Sequence, residues 1–209
     1  LSIFPMQFDL HGAIHPVEHI TLMATAGGRG NVSGFEGAIT QEELPLFLRN
    51  AFIMLHELPF MAYAKTGIFL PAFGTYIDDH TSFTRENVEL DMSKSADRVL
   101  GFEIGAAPNY PFVNLSLFRN LGGPSIPDGV ELGYGGAASL GWRDLGFSMS
   151  VSGMFKRREL DARGNLQTAA LAYGFNPFYY SDQFPVTILG ELVVGSRQRP
   201  ATGDSAAFF

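Results

Sequence analysis

Residues 145–156 alternate between two kinds of side chain. Large apolar residues occupy every second position from Leu145 to Phe155, apart from Gly153, and mostly glycine or serine fills the positions between them. A period of two predicts a β-strand, because successive side chains of a strand point to opposite faces of its sheet. One face of this strand is therefore apolar, and the other carries Ser148, Ser150 and Ser152 in place of the charged residues usual on a solvated face.

The same alternation recurs along the chain and predicts an all-β protein. We expect strands over 6–14, 17–26, 47–57, 60–69, 98–106, 112–119, 129–142, 145–156, 166–175 and 186–196. The 19 Phe and 24 Gly suit strands joined by turns better than a helical bundle. We predict a single domain over 1–209, with long loops near 27–46 and 71–97.

A hairpin of 129–142 with 145–156 has one apolar and one polar face. A turn at residues 143–144 places Trp142 opposite Leu145 on the apolar face. The same register sets Glu131 opposite Lys156 on the other face, an unlike-charge pair of the kind that stabilises paired strands.

A second hairpin, of 98–106 with 112–119, shows the same division. Its apolar face sets Ile104 opposite Leu115, and its polar face sets Glu103 opposite Ser116. A slip of one residue would invert either hairpin, so their agreement supports both strand assignments. For 47–57 and 60–69 the apolar side is not assigned, because one face would hold Arg49 and the other Asn50 and Lys65.

Two folds accommodate such strands. A soluble β-sandwich buries its apolar face and normally carries Lys, Glu and Arg outside, whereas a membrane β-barrel turns its apolar face to lipid and a polar face to a lumen. Only 17% of the residues are charged, and aromatic residues gather near strand ends in "YGFNPFYYSDQFP" and "APNYPF". We therefore predict an antiparallel up-and-down transmembrane β-barrel, with about ten strands in this chain and either complete or part of a larger barrel. A secreted β-sandwich binding module is the alternative.

Composition excludes several classes of function. A net charge of −7 argues against a nucleic-acid surface, which needs clustered Lys and Arg. The absence of cysteine excludes disulfides, thiolate metal sites and Cys-His catalysis. Because no G-x-S-x-G elbow or P-loop occurs, we predict no enzyme, no catalytic residue and no cofactor. A barrel hydrolase using distant Asp, His and Ser is the remaining enzymatic alternative.

The sequence offers no segment for a membrane-spanning helix, since no run of about 18 apolar residues occurs. The chain begins at Leu1 without a signal-peptide pattern. We interpret it as a processed chain or a fragment.

Charged residues of the second long loop and of the polar faces are the candidate functional residues. The segment "IDDHT" brings two carboxylates and an imidazole together. Such a loop, folded into a barrel, narrows the pore, and its charges tune selectivity. A divalent-metal site and a plain capped loop are the alternatives, although no recognised metal spacing is present. The predicted lumen or constriction residues are Asp78, Asp79, His80, Arg85, Glu86, Glu103, Glu131 and Lys156.

Three histidines near the start, His11, His15 and His19, are spaced by four residues, as on one face of a helix. Pro16 and the flanking alternation favour a hairpin instead. A turn centred on Pro16 sets Asp9, His11, His19 and Thr21 on one polar face.

Residues 65–120 carry a resemblance to a known family. The segments "KTGIFLPAFGTYIDDHTSFTREN" and "VLGFEIGAAPNYPFVNLSLFRN" resemble porin-like outer-membrane β-barrels of Gram-negative bacteria, large barrels of which some accompany multihaem cytochromes. The shared pattern is K-x-G-x-F-L-P-x-F-G running into D-D-H-T-x-F-T-R. The resemblance implies a protein of the outer membrane. It would act there as a porin-like channel for small solutes or as a sheath for a periplasmic or multihaem cytochrome partner.

The chain departs from that family at two places. Ile68 stands where the pattern has a basic residue, so no role is transferred to that position. The chain ends in Phe209, as many outer-membrane barrels do, but "TGDSAAFF" lacks the alternating aromatic strand expected before it. The chain is therefore expected to be cut short or to have an unusual end.

Overall fold

Eleven antiparallel strands form one sheet in the computed structural model of the chain. The structure describes residues 7–29, 46–75, 85, 87–90, 97–121, 133–158, 164–177, 186–198 and 205–208. The strands are β1 Gln7–Val17, β2 Ile20–Arg29, β3 Leu46–Leu58, β4 Ala62–Phe69, β5 Val99–Ala106, β6 Pro111–Asn120, β7 Tyr134–Asp144, β8 Phe147–Arg157, β9 Asn165–Phe175, β10 Ile188–Gln198 and β11 Ser205–Phe208.

Each strand pairs with its neighbours in the sequence, in the order β1 to β11. The prediction of an all-β, antiparallel, up-and-down fold is confirmed. The sequence does not predict β11, because four residues, SAAF, are too few to display alternation. A 3-10 turn, Pro59–Met61, joins β3 to β4. In the described ranges no helix is long and apolar enough to cross a membrane.

The connections differ between the two ends of the sheet. At one end the strands are joined by residues 18–19, 59–61, 107–110, 145–146 and 176–187, and we call this the short-turn end. At the other end they are joined by residues 30–45, 70–98, 121–133, 158–164 and 199–204, and we call this the long-connection end. Four of the five connections at the short-turn end have two to four residues and the fifth, 176–187, has 12, whereas those at the long-connection end have 6 to 29. Mostly short turns on one side and longer loops on the other are typical of outer-membrane barrels.

The predicted register of the β5–β6 hairpin is confirmed. Ile104 lies opposite Leu115, and Glu103 lies opposite Ser116. The sequence locates this hairpin correctly because "APNYPF" marks its turn and both strands alternate cleanly up to it.

The predicted register of the β7–β8 hairpin is wrong. Its turn lies at Leu145–Gly146, so Trp142 pairs with Met149, and Lys156 lies opposite Gly135 and not Glu131. Residues 143–144 extend the strand, and the Asp144 carboxylate accepts a hydrogen bond from the Leu145 amide at 2.6 Å. Each partner changes by four residues, an even number, so the apolar and polar faces remain as predicted.

A β-bulge explains why the alternation of β3 is irregular. Thr25 of β2 pairs with Asn50, but the next residue of β2, Ala26, pairs with Leu48, so Arg49 is the extra residue. Arg49 and Asn50 therefore lie on the same polar face. Arg49 forms a buried ion pair with Asp9 of β1, and Asn50 accepts a hydrogen bond from Arg98 at 3.4 Å.

The β1–β2 hairpin forms as the alternation predicts, but its turn lies at residues 18–19 and not at Pro16. Asp9, His11 and Thr21 share the polar face as predicted: His11 Nδ1 is 3.1 Å from the Thr25 hydroxyl, which lies on the same face. His19 is not on that face. It lies in the turn, where its Nδ1 is 3.8 Å from the Glu57 carboxylate.

The two faces of the sheet have opposite environments. Large apolar side chains on one face are exposed, for example Leu140 at 63% and Val151 at 57%. Polar side chains on the other face are buried, for example Glu103 and Lys156 at 1% each. The interior of this protein is therefore on the polar side of its sheet.

The sheet curves around residues 70–75, which follow β4. The Gly74 amide donates to the Ser152 hydroxyl of β8 at 3.1 Å, and the Thr75 amide donates to Glu191 of β10 at 2.8 Å. Phe69 lies level with the Gln198 end of β10, so in a flat sheet Glu191 would lie six strand spacings across and seven residues along from it, ~37 Å away. Six residues beyond Phe69, the Glu191 side chain and the hydrogen bond together reach only ~28 Å. The polar face is therefore concave, and residues 70–75 lie within it.

Apolar side chains from this internal segment form the core together with residues 88–90 and the concave face. The buried cluster includes Phe69, Leu70, Phe73, Val88, Leu90, Val99, Phe118, Met154, Leu166 and Val193. Because the core lies inside the curve, the outward apolar side chains have no protein partner layer among the described residues.

Candidate functional site

Three basic side chains converge on the carboxylate of Glu89, inside the concave face near the long-connection end. Arg158, directly after β8, lies 2.5 Å from Oε2, and Arg197 of β10 lies 2.7 Å from Oε1. Lys156 of β8 lies 3.8 Å from Oε2 and donates a hydrogen bond to the Glu89 carbonyl at 2.7 Å. We call these four residues the Glu89 cluster. It fastens residues 87–90 to two strands across the interior.

The Glu89 carboxylate is ionised in this cluster. Burial alone would raise its pKa, but the positive charges of Lys156, Arg158 and Arg197 outweigh burial and hold the pKa of Glu89 below its ordinary value. The anion is therefore the form that the fold stabilises.

Arg85 links the two internal segments. Its guanidinium donates to the Phe73 carbonyl at 3.0 Å, and its own carbonyl accepts a hydrogen bond from the Leu90 amide at 3.0 Å. Residues 70–75 and 87–90 are thereby joined to each other as well as to the strands.

A second polar network surrounds Glu103 of β5. Its carboxylate accepts hydrogen bonds from Tyr63 at 2.8 Å and Ser116 at 2.7 Å, and Lys65 lies 2.8 Å away. The Lys65 ammonium also lies 4.5 Å from the centre of the Phe69 ring. The Tyr63 hydroxyl makes a further 2.8 Å contact with Asn114. These residues come from three consecutive strands, so the network stiffens the wall.

A cavity of about 430 Å³ opens beside this network, towards the short-turn end. Its wall carries mainly small or polar side chains, including Tyr63, Lys65, Asn114, Arg143, Ser148 and Ser150. The internal residues Phe73, Gly74 and Thr75 contribute to its lining. The polar face predicted from the serines of β8 is thus the wall of a water-accessible space.

The structure brings three of the predicted site residues to the concave face: Arg85, Glu103 and Lys156. Asp78, Asp79, His80, Glu86 and Glu131 lie outside the described residues. In the observed register Lys156 lies opposite Gly135 and not opposite Glu131, and the Lys156 ammonium contacts Glu89.

Sequence reasoning missed Glu89, Arg158, Arg197 and Lys65. A signal existed for Arg197, because it continues the period of two that places Val193 inside. For Glu89 there was none, since it lies in a connection without alternation. In the described ranges no three His, Asp or Glu side chains are grouped so as to hold a metal ion.

Comparison with known proteins adds no relative. No protein family, curated protein or solved structure matches the chain.

Proposed function

We propose that this chain forms the wall of a transmembrane β-barrel in the outer membrane of a Gram-negative bacterium, and that its lumen is a narrow channel for small polar solutes. One observation carries the proposal: large apolar side chains are exposed over the outward face, while acidic and basic side chains are buried on the concave face. Exposed apolar patches of soluble monomers rarely exceed a few hundred Å². Lipid is the solvent in which this outward face is stable.

Strand length supports the same proposal. An 11-residue strand such as β8, tilted by about 40°, spans ~28 Å, and the apolar band of outer-membrane barrels is about 25 Å tall. In lipid every backbone polar group needs a partner. The proposal therefore requires that the outer edges of β1 and β11 are paired in the membrane.

Aromatic residues lie near both ends of the strands. Tyr110 stacks on Trp142 at the short-turn end, with ring centres 5.5 Å apart. Tyr134 and Phe155 are in edge contact at 6.5 Å towards the other end, where Arg157 donates to the Tyr134 hydroxyl at 3.3 Å. Such residues favour the two interfaces of a bilayer.

The alternatives fit less well. A β-sandwich would bury the apolar face against a second sheet, but all described strands belong to one sheet and that face is exposed. A sheath for a cytochrome or another partner needs a vacant lumen, and residues 70–75 and 87–90 already lie inside this one. A channel constricted by its own chain is the function favoured by these contacts.

The test is reconstitution into planar lipid bilayers after purification in detergent. We expect the protein to require detergent and to produce discrete conductance steps. A silent barrel that copurifies with an enclosed protein would replace the channel by the sheath. A monodisperse protein without detergent would refute the membrane proposal.

A further inference from the structure

The cavity beside the Glu103 network carries one charged side chain that no ion pair neutralises. Among the described residues that line the cavity, the charged ones are Lys65, Glu103 and Arg143, and Lys65 pairs with Glu103 at 2.8 Å. The Arg143 guanidinium has no hydrogen-bond or ion-pair partner in the described ranges. Glu191 lies three strands away on β10, and its carboxylate accepts from the Thr75 amide. The cavity wall is therefore positively charged where Arg143 lies.

Phe112 and Gly141 hold the Arg143 side chain against the wall. The guanidinium carbon lies 5.2 Å from the centre of the Phe112 ring, within the range of cation–π attraction. The Phe112 ring fills the space that a side chain at Gly141 would need, since a Cβ there would lie 2.5 Å from the ring. These residues belong to β6 and β7, and each of those strands is paired on both sides. The guanidinium is therefore held in place, and because Arg143 is exposed a solute can reach it.

Hydroxyl groups lie beside this guanidinium in the same cavity. Ser148 is directly opposite Arg143 in the β7–β8 register, and Ser150 is opposite Gly141. Neither serine hydroxyl has a hydrogen-bond partner among the described residues. The Thr75 hydroxyl lines the cavity from the internal segment; it is buried and is also without a partner in the described part of the chain. Buried hydroxyls normally have a partner, and a solute bound in the cavity can supply one.

We propose that Arg143, Ser148 and Ser150 form a site in the cavity for the carboxylate group of a small solute. The planar guanidinium fits two carboxylate oxygens at once, and the serine hydroxyls can donate to the same oxygens. One unpaired positive charge matches a monoanion better than a multiply charged phosphate. This inference rests on the proposed channel and adds the class of solute, because charged groups along a lumen tune its selectivity.

The first experiment measures binding and needs no current. Sodium acetate is titrated at constant ionic strength against the detergent-purified protein, and saturation transfer to the acetate methyl group is recorded by NMR. We expect saturable binding to the wild type and binding at least about tenfold weaker to Arg143→Gln, because charge-assisted hydrogen bonds are lost. Phosphate and glucose are then added as competitors. If either one displaces acetate at a concentration below the dissociation constant of acetate, the assignment to carboxylates is wrong.

Arg119→Gln is the matched control. Arg119 is exposed on β6 opposite Tyr134, on the outward face, so this variant removes the same charge from the other side of the sheet. It should bind acetate as the wild type does. An equal loss of binding in Arg119→Gln, or no loss in Arg143→Gln, would overturn the inference. If Arg143→Gln does not fold, Ser148→Ala combined with Ser150→Ala should weaken acetate binding about threefold or more, and unchanged binding in that variant would overturn the inference too.

The second experiment measures selectivity in planar bilayers with a gradient of potassium acetate. Arg143→Gln should shift the reversal potential away from acetate selectivity, and Arg119→Gln should leave it where the wild type has it. An unchanged potential in Arg143→Gln would overturn the inference. If the bilayers stay silent while acetate binding still depends on Arg143, the channel fails and the site stands. Currents together with acetate binding that does not depend on Arg143 leave the channel standing and remove the site.

Discussion

Adjacent residues of β8 face opposite environments, so single substitutions can test directly which face of the sheet is the outward one. Val151 lies mid-strand on the outward face, whereas Ser150 lines the cavity. We expect arginine at Val151 to cost about 2–4 kcal/mol, the cost of a guanidinium near the bilayer midplane, and arginine at Ser150 to cost considerably less because it remains hydrated. Reversible unfolding in bilayers measures both. Equal costs would contradict the assignment of the two faces.

The Glu103 network gives a second residue-scale prediction. Glu103→Ala should destabilise the fold by about 3–5 kcal/mol, because Lys65 would lose its partner inside the wall. Lys65→Met combined with Glu103→Leu should cost less than Glu103→Ala alone, since no unpaired charge remains. The same unfolding assay applies to all variants, and a double variant costlier than the single one would show that the ion pair is not the cause.

The sequence predicts to which face of the sheet most of these side chains point, but not which residues they contact. The alternation of β5 and its short turn place Glu103 opposite Ser116 as observed. Its ion-pair partner, Lys65, comes from across the β4–β5 boundary, where residues 70–98 intervene and no turn fixes a register. At Arg49 even the direction is hidden, because a single extra residue reverses the phase of the strand.

At the scale of elements, the internal segment 87–90 should be held by an interaction that depends on pH. The pKa of Glu89 is lowered by its three basic partners. A carboxyl group with a lowered folded pKa contributes stability that is complete above its unfolded value, near 4.5, and is lost as the pH falls through the folded value. The stability difference between the wild type and Glu89→Gln should therefore be constant above about pH 5 and shrink below pH 4.

Denaturant titrations of both proteins in detergent, from about pH 7 to about pH 2, measure this difference. Glu191→Gln run in parallel separates the effect of Glu89 from general titration of carboxylates. A difference that stays constant or grows on acidification would mean that the Glu89 charge does not fasten the segment.

The sequence predicts the register of a hairpin only where it also predicts the position of the turn. In β7–β8, the sequence "WRDLGF" offers two turns that preserve the same faces. The two-residue turn forms at Leu145–Gly146, two residues beyond the predicted turn at 143–144. The apolar pattern cannot distinguish registers that differ by an even number of residues. The apolar pattern also cannot predict that residues 70–75 lie inside the curve, because their position depends on the curvature of the whole sheet.

At the scale of the whole molecule, the two ends of the strands should lie on opposite sides of a membrane. The chain has no cysteine, so single cysteines can be labelled without background. Asn109 lies in the turn between β5 and β6 at the short-turn end, Gln198 ends β10 at the long-connection end, and Val151 lies between the two ends on the outward face. In protein inserted into vesicles with one orientation, a membrane-impermeant thiol reagent should label Asn109→Cys and Gln198→Cys from opposite sides. Val151→Cys should react only with a lipid-soluble reagent, because its surroundings exclude water. Reaction of all three with the impermeant reagent from one side would mean that the outward face meets water, and the barrel would then have no place in the membrane.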